Sequence, residues 1–351
     1  MTLKSDIRAE ADRLRATFQA RGAEVFEPEI LQPAGTLLGL YGEDIRARAF
    51  VTQDPIRGEM MLRPDFTVPL VQSHIEADRT SASYTYSGEI FRRQEDDDTR
   101  PTEYMQVGYE IFAGEDEATT DAEVLAAVSN ALADLPLATT IGDFAILRAA
   151  INSLDTPDRR KAALLRHLWR PARFRALLQR FSRPAPPPPP APDPNTPHVG
   201  LRSLEDIEVR RALLAQEAKT PPITDAEVTR LNAILSVRDK APAALATLMS
   251  LANGDSDLAN AVTRLQSRLD ALADKGIAPD TLDFEASYGR TSMEYYGGFV
   301  FGLSAPDKLD WPVIATGGRY DLLTETLGQP IPAVGGVIRP DAVLALRGST
   351  Q

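Results

Sequence analysis

The chain has 351 residues, 43% of them hydrophobic and 25% charged, enough for one large domain or two ordinary ones with a sizeable core. Its 50 acidic and 38 basic side chains give a formal net charge of -12, which argues against a broad nucleic-acid surface. There is no cysteine to supply a disulfide, a thiolate metal site or a nucleophile. The opening MTLKSDIRAEADRL lacks a signal-like apolar run and no stretch is apolar over membrane length, so the chain reads as soluble and cytoplasmic.

In chain order, Leu3, Ile7, Ala11, Leu14 and Phe18 repeat at helical spacing, and Gly22 suits the end of that helix. Val25 and Phe26 start a strand that leads into an irregular segment. An amphipathic stretch runs over 68–76. Residues 82–91 and 104–112 predict two strong strands joined by an acidic turn at 94–98, a hairpin of an antiparallel sheet. In the second strand Met105, Val107, Tyr109 and Ile111 share one face, which reads as core. Tyr104, Gln106, Gly108 and Glu110 share the other, which reads as a polar floor.

Residues 115–135 and 144–152 are helical in pattern. Residues 159–183 carry nine Arg or Lys among several Leu, the pattern of a solvated helix face with an apolar reverse. Nine prolines over 184–197 predict an extended linker, and 204–275 is helical again. Strand character returns at 282–288, 294–303, 311–316 and 333–338. The sequence therefore predicts an α+β fold: a core of 1–150 plus 280–351, whose sheet takes strands from both ends of the chain, with a mainly helical insertion over 151–279.

On the polar floor, Gln106 and Glu110 stand four residues apart with Gly108 leaving space between them. Arg92 ends the neighbouring strand, and Tyr296 beside Gly298 repeats the motif of a polar aromatic next to a gap. Such a set suits a small zwitterion: arginine for a carboxylate, acids for an ammonium, a carboxylate for an imidazole N–H. The same alternation also describes a solvated sheet face with incidental charges. His74, His167 and His198 are scattered without ligand spacing, so no metal site and no cofactor are expected.

GEIFRRQEDDDTRPTEYMQVGYEIFAG (Gly88 to Gly114) resembles motif 2 of class II aminoacyl-tRNA synthetases, most of all the histidyl version. MLRPDFT (61–67), MEYYGGFVF (293–301), ATGGRYD (315–321) and PAVGGVI (332–338) are similar to further segments of that family, in the same order. The resemblance implies a class II synthetase-like antiparallel sheet flanked by helices, with a homodimer built near Glu27-Pro28-Glu29. It also implies a histidine pocket. Asp65, Thr67 and Gln106 would hold the ammonium group, Arg92 and Gln106 the carboxylate, and Glu110 and Tyr296 the imidazole. Tyr295 would be a weaker member, turned by alternation to the opposite face. Asp65 is one methylene shorter than the family's glutamate, which implies a contact through water.

The departures matter as much. The family's catalytic arginine aligns with Thr291, with Arg290 as a displaced substitute. A motif 2 glutamate is replaced by Gln94, and the Glu-Arg pair of motif 3 by Ile338-Arg339. Losing these charges should cripple adenylate formation, which depends on positioned electrostatics. No segment like the family's C-terminal anticodon-binding domain follows. The combination resembles the regulatory subunits of ATP phosphoribosyltransferase. That resemblance implies a non-catalytic protein that partners a short-form catalytic subunit in a hetero-octamer and transmits feedback inhibition by L-histidine, with no nucleic-acid or membrane partner. The rival readings are a minimal histidine-activating enzyme using Arg290, a free-standing amino-acid or RNA-binding module, and a factor that modifies another protein.

Overall fold

The computed structural model of the chain describes residues 3–35, 48–93, 101–113, 116–190, 200–290, 295–308 and 311–350. The acidic turn at 94–98, Thr291, His198 and the proline segment beyond 190 lie outside the described residues.

Helix α1 (Lys4–Gln19) buries Ala11, Leu14 and Phe18 on one face, and Gly22 takes a positive φ of 93° just after it, where a side chain would be strained. A short β1 (Glu24–Val25) follows. Strands β2 (Leu31–Pro33), β3 (Val51–Asp54) and β4 (Gly58–Leu62) form a small sheet in the order β2-β4-β3. Helix α2 (Thr67–Glu76) leads to the hairpin of β5 (Ala82–Phe91) and β6 (Glu103–Phe112), paired without a break from Ala82↔Phe112 to Phe91↔Glu103.

Asp116 caps α3 (Glu117–Ala131), and Asp143 ends β7 (Ala138–Asp143) and caps α4 (Phe144–Asn152). The middle of the chain holds α5 (Asp158–Arg166), α6 (Pro171–Phe181), α7 (Leu204–Lys219), α8 (Asp225–Leu235), β8 (Arg238–Lys240), α9 (Ala241–Leu251) and α10 (Ser256–Asp274). Then come β9 (Asp283–Glu285), β10 (Phe299–Ser304), β11 (Ala315–Arg319), α11 (Asp321–Thr326), β12 (Ala333–Ile338) and α12 (Pro340–Thr350).

The main sheet runs β1-β5-β6-β12-β11-β10-β7-β9-β8. Strands from the two ends of the chain share this sheet, as the sequence predicts, and meet where β6 pairs with β12. Four expectations need correction. The sheet is mixed, because β1 pairs with β5 and β7 with β9 in parallel. Strand β7 has no counterpart in the sequence reading. Strand β10 starts at Phe299, and β11 at Ala315, later than expected from 294 and 311. Strand β8 interrupts the predicted helical run of 204–275.

The face of β6 that carries Val107 and Tyr109 meets α1, where Phe18 stacks on Tyr109 with ring centroids 5.0 Å apart. Helix α10 buries Leu258, Ala261, Val262, Leu265, Leu269 and Leu272 at spacings of three and four. Its Arg268 reaches Asp121 of α3 and Asp143 at 2.7 Å each, and Arg319 of β11 meets Asp121 at 2.8 Å. The basic run over 159–183 is not uniformly solvated. Arg160 is only 1% exposed, donates to Glu217 and the Pro221 carbonyl, and lies over the Phe181 ring.

Candidate functional site

The even-numbered face of β6 is where the sequence places the chemistry, and it is buried. Glu110 is 1% and Gln106 5% exposed, which removes the solvated-face reading. Register sets the space: β12 places Gly335 opposite Glu110, and a Cβ there would fall 1.3 Å from Glu110 Oε2. Only glycine leaves room for the carboxylate. The space at Gly108 is not empty, contrary to the expectation from sequence. Tyr86 of β5 pairs with Gly108 and lays its ring across it, stacked on Phe66 at 4.3 Å.

Three hydroxyls converge on Glu110. Tyr86 donates to Oε1 at 2.8 Å, Tyr320 to Oε2 at 2.8 Å, and Thr67 to Oε1 at 3.4 Å. Tyr320 arrives from the end of β11 and Thr67 from the first turn of α2. Burial pushes the Glu110 carboxyl up to about 7, against the hydroxyl bonds, which pull it down, and with the help of the nearby Asp65 charge. Asp65 itself is buried just ahead of α2, and its Oδ1 accepts from the Val68 N–H at 3.5 Å.

Further along the same face, the Gln106 Oε1 is buried with no hydrogen-bond partner. Arg92, one residue past β5, donates from Nη2 to the Tyr104 hydroxyl at 3.0 Å, while its buried Nε has no partner. Unsatisfied buried atoms of this kind ask for a bound group. Tyr295 and Tyr296 precede β10, so strand alternation does not govern them. Their rings are 4.9 Å apart, and Tyr295 stands 6.2 Å from the Tyr320 ring. Burial, followed by the Asp65 and Glu110 charges, pushes the Tyr295 phenol up. The expected turning-away of Tyr295 is therefore corrected: it belongs to the same cluster.

All seven predicted residues thus gather around one polar face. Thr67 and Glu110 touch directly, Asp65, Tyr295 and Tyr296 lie within the field of Glu110, and Arg92 and Gln106 stand toward the open end. Sequence reasoning did not single out Tyr86 and Tyr320. An aromatic paired with a glycine across the hairpin was the available signal for Tyr86, and the GGRYD segment contained Tyr320. The open end continues into a cavity of about 380 Å³ lined by Arg48, Arg92, Tyr104, Gln106, Tyr296 and Arg339. There the Arg339 guanidinium covers the Tyr104 ring at 4.3 Å and pairs with Asp341 at 3.1 Å. Acceptors at one end and guanidinium donors at the other fit a small zwitterion with an N–H-bearing ring. Among the described residues no group of three or more His, Cys, Asp or Glu is placed to hold a metal ion.

Arg290 is not in this cluster. Its Nε donates to the Leu168 carbonyl at 2.9 Å and its guanidinium lies over Phe174 of α6, 5.0 Å from the ring centroid. It does not stand in as a displaced catalytic arginine beside Glu110. Thr291, the aligned position, lies outside the described residues.

The histidyl-tRNA synthetase family model matches residues 4–185 and 202–343. The ATP phosphoribosyltransferase regulatory subunit of Brucella canis is 29% identical, over 96% of this chain and 97% of that protein. The protein of the same name from Brucella abortus is likewise 29% identical, over 96% of each. Among solved structures, a Bacillus halodurans protein described as an ATP phosphoribosyltransferase regulatory subunit/histidyl-tRNA synthetase superposes with a TM-score of 0.70. It shows 20% identity and covers 97% of this chain and 79% of its own. A histidine–tRNA ligase subunit from Alicyclobacillus acidocaldarius gives a TM-score of 0.63 at 22% identity, covering 99% and 94%. At these identities the two structures speak for the fold.

Proposed function

The chain belongs to the histidyl-tRNA synthetase family, and we propose that within it this protein is a regulatory subunit of ATP phosphoribosyltransferase rather than a ligase. It binds L-histidine in the pocket around Glu110 and passes the state of that pocket to a separate, short-form catalytic subunit. The observation that carries the reading is the buried Glu110 carboxylate inside its ring of hydroxyls, with the Gln106 Oε1 and Arg92 Nε atoms left unsatisfied beside it. The full-length likeness to proteins named as such regulatory subunits supports it.

In this reading the ammonium group is held by Asp65, Thr67 and Gln106, the carboxylate by Arg92 and Gln106, and the imidazole by Glu110 with Tyr295 and Tyr296. The core is 1–150 plus 280–351, completed by β8 at the edge of the main sheet and by α10 through Arg268, and the rest of 151–279 is a mainly helical insertion. The protein forms a homodimer, joins the catalytic subunit in a hetero-octamer and works in the cytoplasm. Among the described residues no helix is long and apolar enough to cross a membrane.

The absence of catalysis is part of the proposal. It is supported by Arg290, which turns to Leu168 and Phe174 and away from Glu110, and by the apolar, fully buried Ile338 ahead of Arg339. One observation favours a second reading, a minimal histidine-activating enzyme: Arg48, Arg92 and Arg339 still line the cavity next to the pocket. Two assays separate them. Phosphoribosyl transfer by the catalytic subunit, with and without this chain across a histidine titration, should show activation by the chain and inhibition by histidine. Histidine-dependent pyrophosphate exchange without such activation would replace the first reading with the second.

A further inference from the structure

A second cavity, of about 520 Å³, lies between α6, the end of α8 and the turn after β9, on the other side of Tyr288 and Gly289 from the cavity beside the pocket. Arg290 and Arg175 line it. Arg290 is 8% exposed, and its Nη2 is enclosed without a hydrogen-bond acceptor. Among the described residues neither arginine is paired with a carboxylate. The acid on the rim, Glu285, is engaged instead by Arg238 at 3.7 Å and by the Ser287 hydroxyl at 3.1 Å. The rest of the wall is mixed: Phe174, Leu178 and Leu235 give it an apolar side, and the Asn232 carboxamide and the Ser236 hydroxyl add donors.

Two guanidiniums facing one cavity repel each other, and the buried Arg290 has little water to screen its share. Burial, and then the Arg175 charge, pull the Arg290 guanidinium below its usual range, which is the mark of a cation lacking its anion. A compact dianion supplies what the set lacks: acceptors for both forks and charge for both cations.

We propose that this cavity binds a small phosphate monoester, its phosphate on Arg175, Arg290 and Asn232 and its apolar body against Phe174, Leu178 and Leu235. The site is separate from the Glu110 pocket and stands or falls without the regulatory reading.

Calorimetry with phenyl phosphate on the full chain tests it, with benzoate as the probe of a singly charged head on the same ring. Phenyl phosphate should bind, and benzoate about tenfold or more weakly. Arg175 is exposed, so Arg175→Ala should fold normally and weaken phenyl phosphate by about tenfold or more. Arg290→Lys, which keeps the charge and loses the fork, should weaken it too. Arg339→Ala, in the neighbouring cavity, should leave it within about twofold. No binding to the wild type, equal affinity for benzoate, no change in Arg175→Ala, or loss in Arg339→Ala would each overturn the assignment.

Discussion

A carboxylic acid without water around it ionises late, and at Glu110 this couples the stability of the fold to pH. Its carboxyl moves from the usual 4.5 to about 7 on folding. The folded state therefore holds a proton that the unfolded state has released. That contribution is complete below about pH 4.5 and is lost as pH rises through about 7, a swing of order 3 kcal/mol. The urea midpoint of the ligand-free protein should fall between about pH 5 and about pH 8, and Glu110→Gln, which has no proton to lose, should flatten that fall. Parallel profiles would mean that the carboxyl is not shifted. The same substitution removes the anionic acceptor for an imidazole N–H. Histidine affinity should drop by about ten- to a hundredfold in calorimetry, the loss of one charge-assisted hydrogen bond of about 1.5–3 kcal/mol. Unchanged affinity would take Glu110 out of the pocket. Gly335→Ala probes the site from the opposite strand. Its Cβ falls on Glu110 Oε2, so the carboxylate must leave its three hydroxyls. Thermal stability should fall by about 1–3 kcal/mol, the usual cost of overpacking, and histidine binding should weaken with it.

The elements most legible in the sequence were those whose residues state both partner and face. The hairpin of β5 and β6 was read almost to the residue, because tyrosine, threonine, valine and isoleucine are dense there, and β12 with its bounds as found, because valine and isoleucine flank its two glycines. Strand β11 slid by several residues because its own sequence, ATGGR, has little strand propensity; tertiary packing overrides it. A Cβ at Gly317 would meet the Phe301 ring at 2.3 Å, so the glycines admit the aromatic core of the neighbouring strand. Polar alternation on β6 located the site but not its burial. A floor facing water and a floor facing three hydroxyls have the same period, and only the register of β5 and β12 separates them. The knot that ties α10 to α3 and β11 was illegible for a related reason. Arg268 and Asp121 are 147 positions apart, and nothing local marks either as paired. Arg268, Arg319, Asp121 and Asp143 are all buried there. Asp121→Asn should take from Arg268 and Arg319 the carboxylate they share, leaving them Asp143 and Asp321, and destabilise the fold by about 3 kcal/mol in urea unfolding, the low end for a broken buried pair. Glu103→Gln, which breaks the exposed pair with Lys4, should cost less than about 1 kcal/mol. Equal losses would mean that the buried knot carries no more than a surface pair.

For the molecule as a whole, the regulatory proposal carries a thermodynamic obligation. Histidine can shut an assembly down only by binding its inactive arrangement more tightly than its active one. The coupling is reciprocal: whatever factor histidine imposes on substrate binding by the catalytic subunit, those substrates impose on histidine. Couplings of this kind run to about 1–3 kcal/mol, or about five- to a hundred-and-fiftyfold. The histidine dissociation constant of the complex saturated with its substrates should therefore exceed that of the substrate-free complex by a factor in this range. Substrate affinity, measured with and without histidine, should shift by the same factor. Glu110→Gln should remove both shifts together while the sedimentation mass of the complex stays unchanged, because the residue lies inside the fold and not on its surface. If histidine binds the two states equally while still inhibiting, the Glu110 pocket is not where inhibition is sensed. If the factors differ, histidine is acting at more than one place in the assembly.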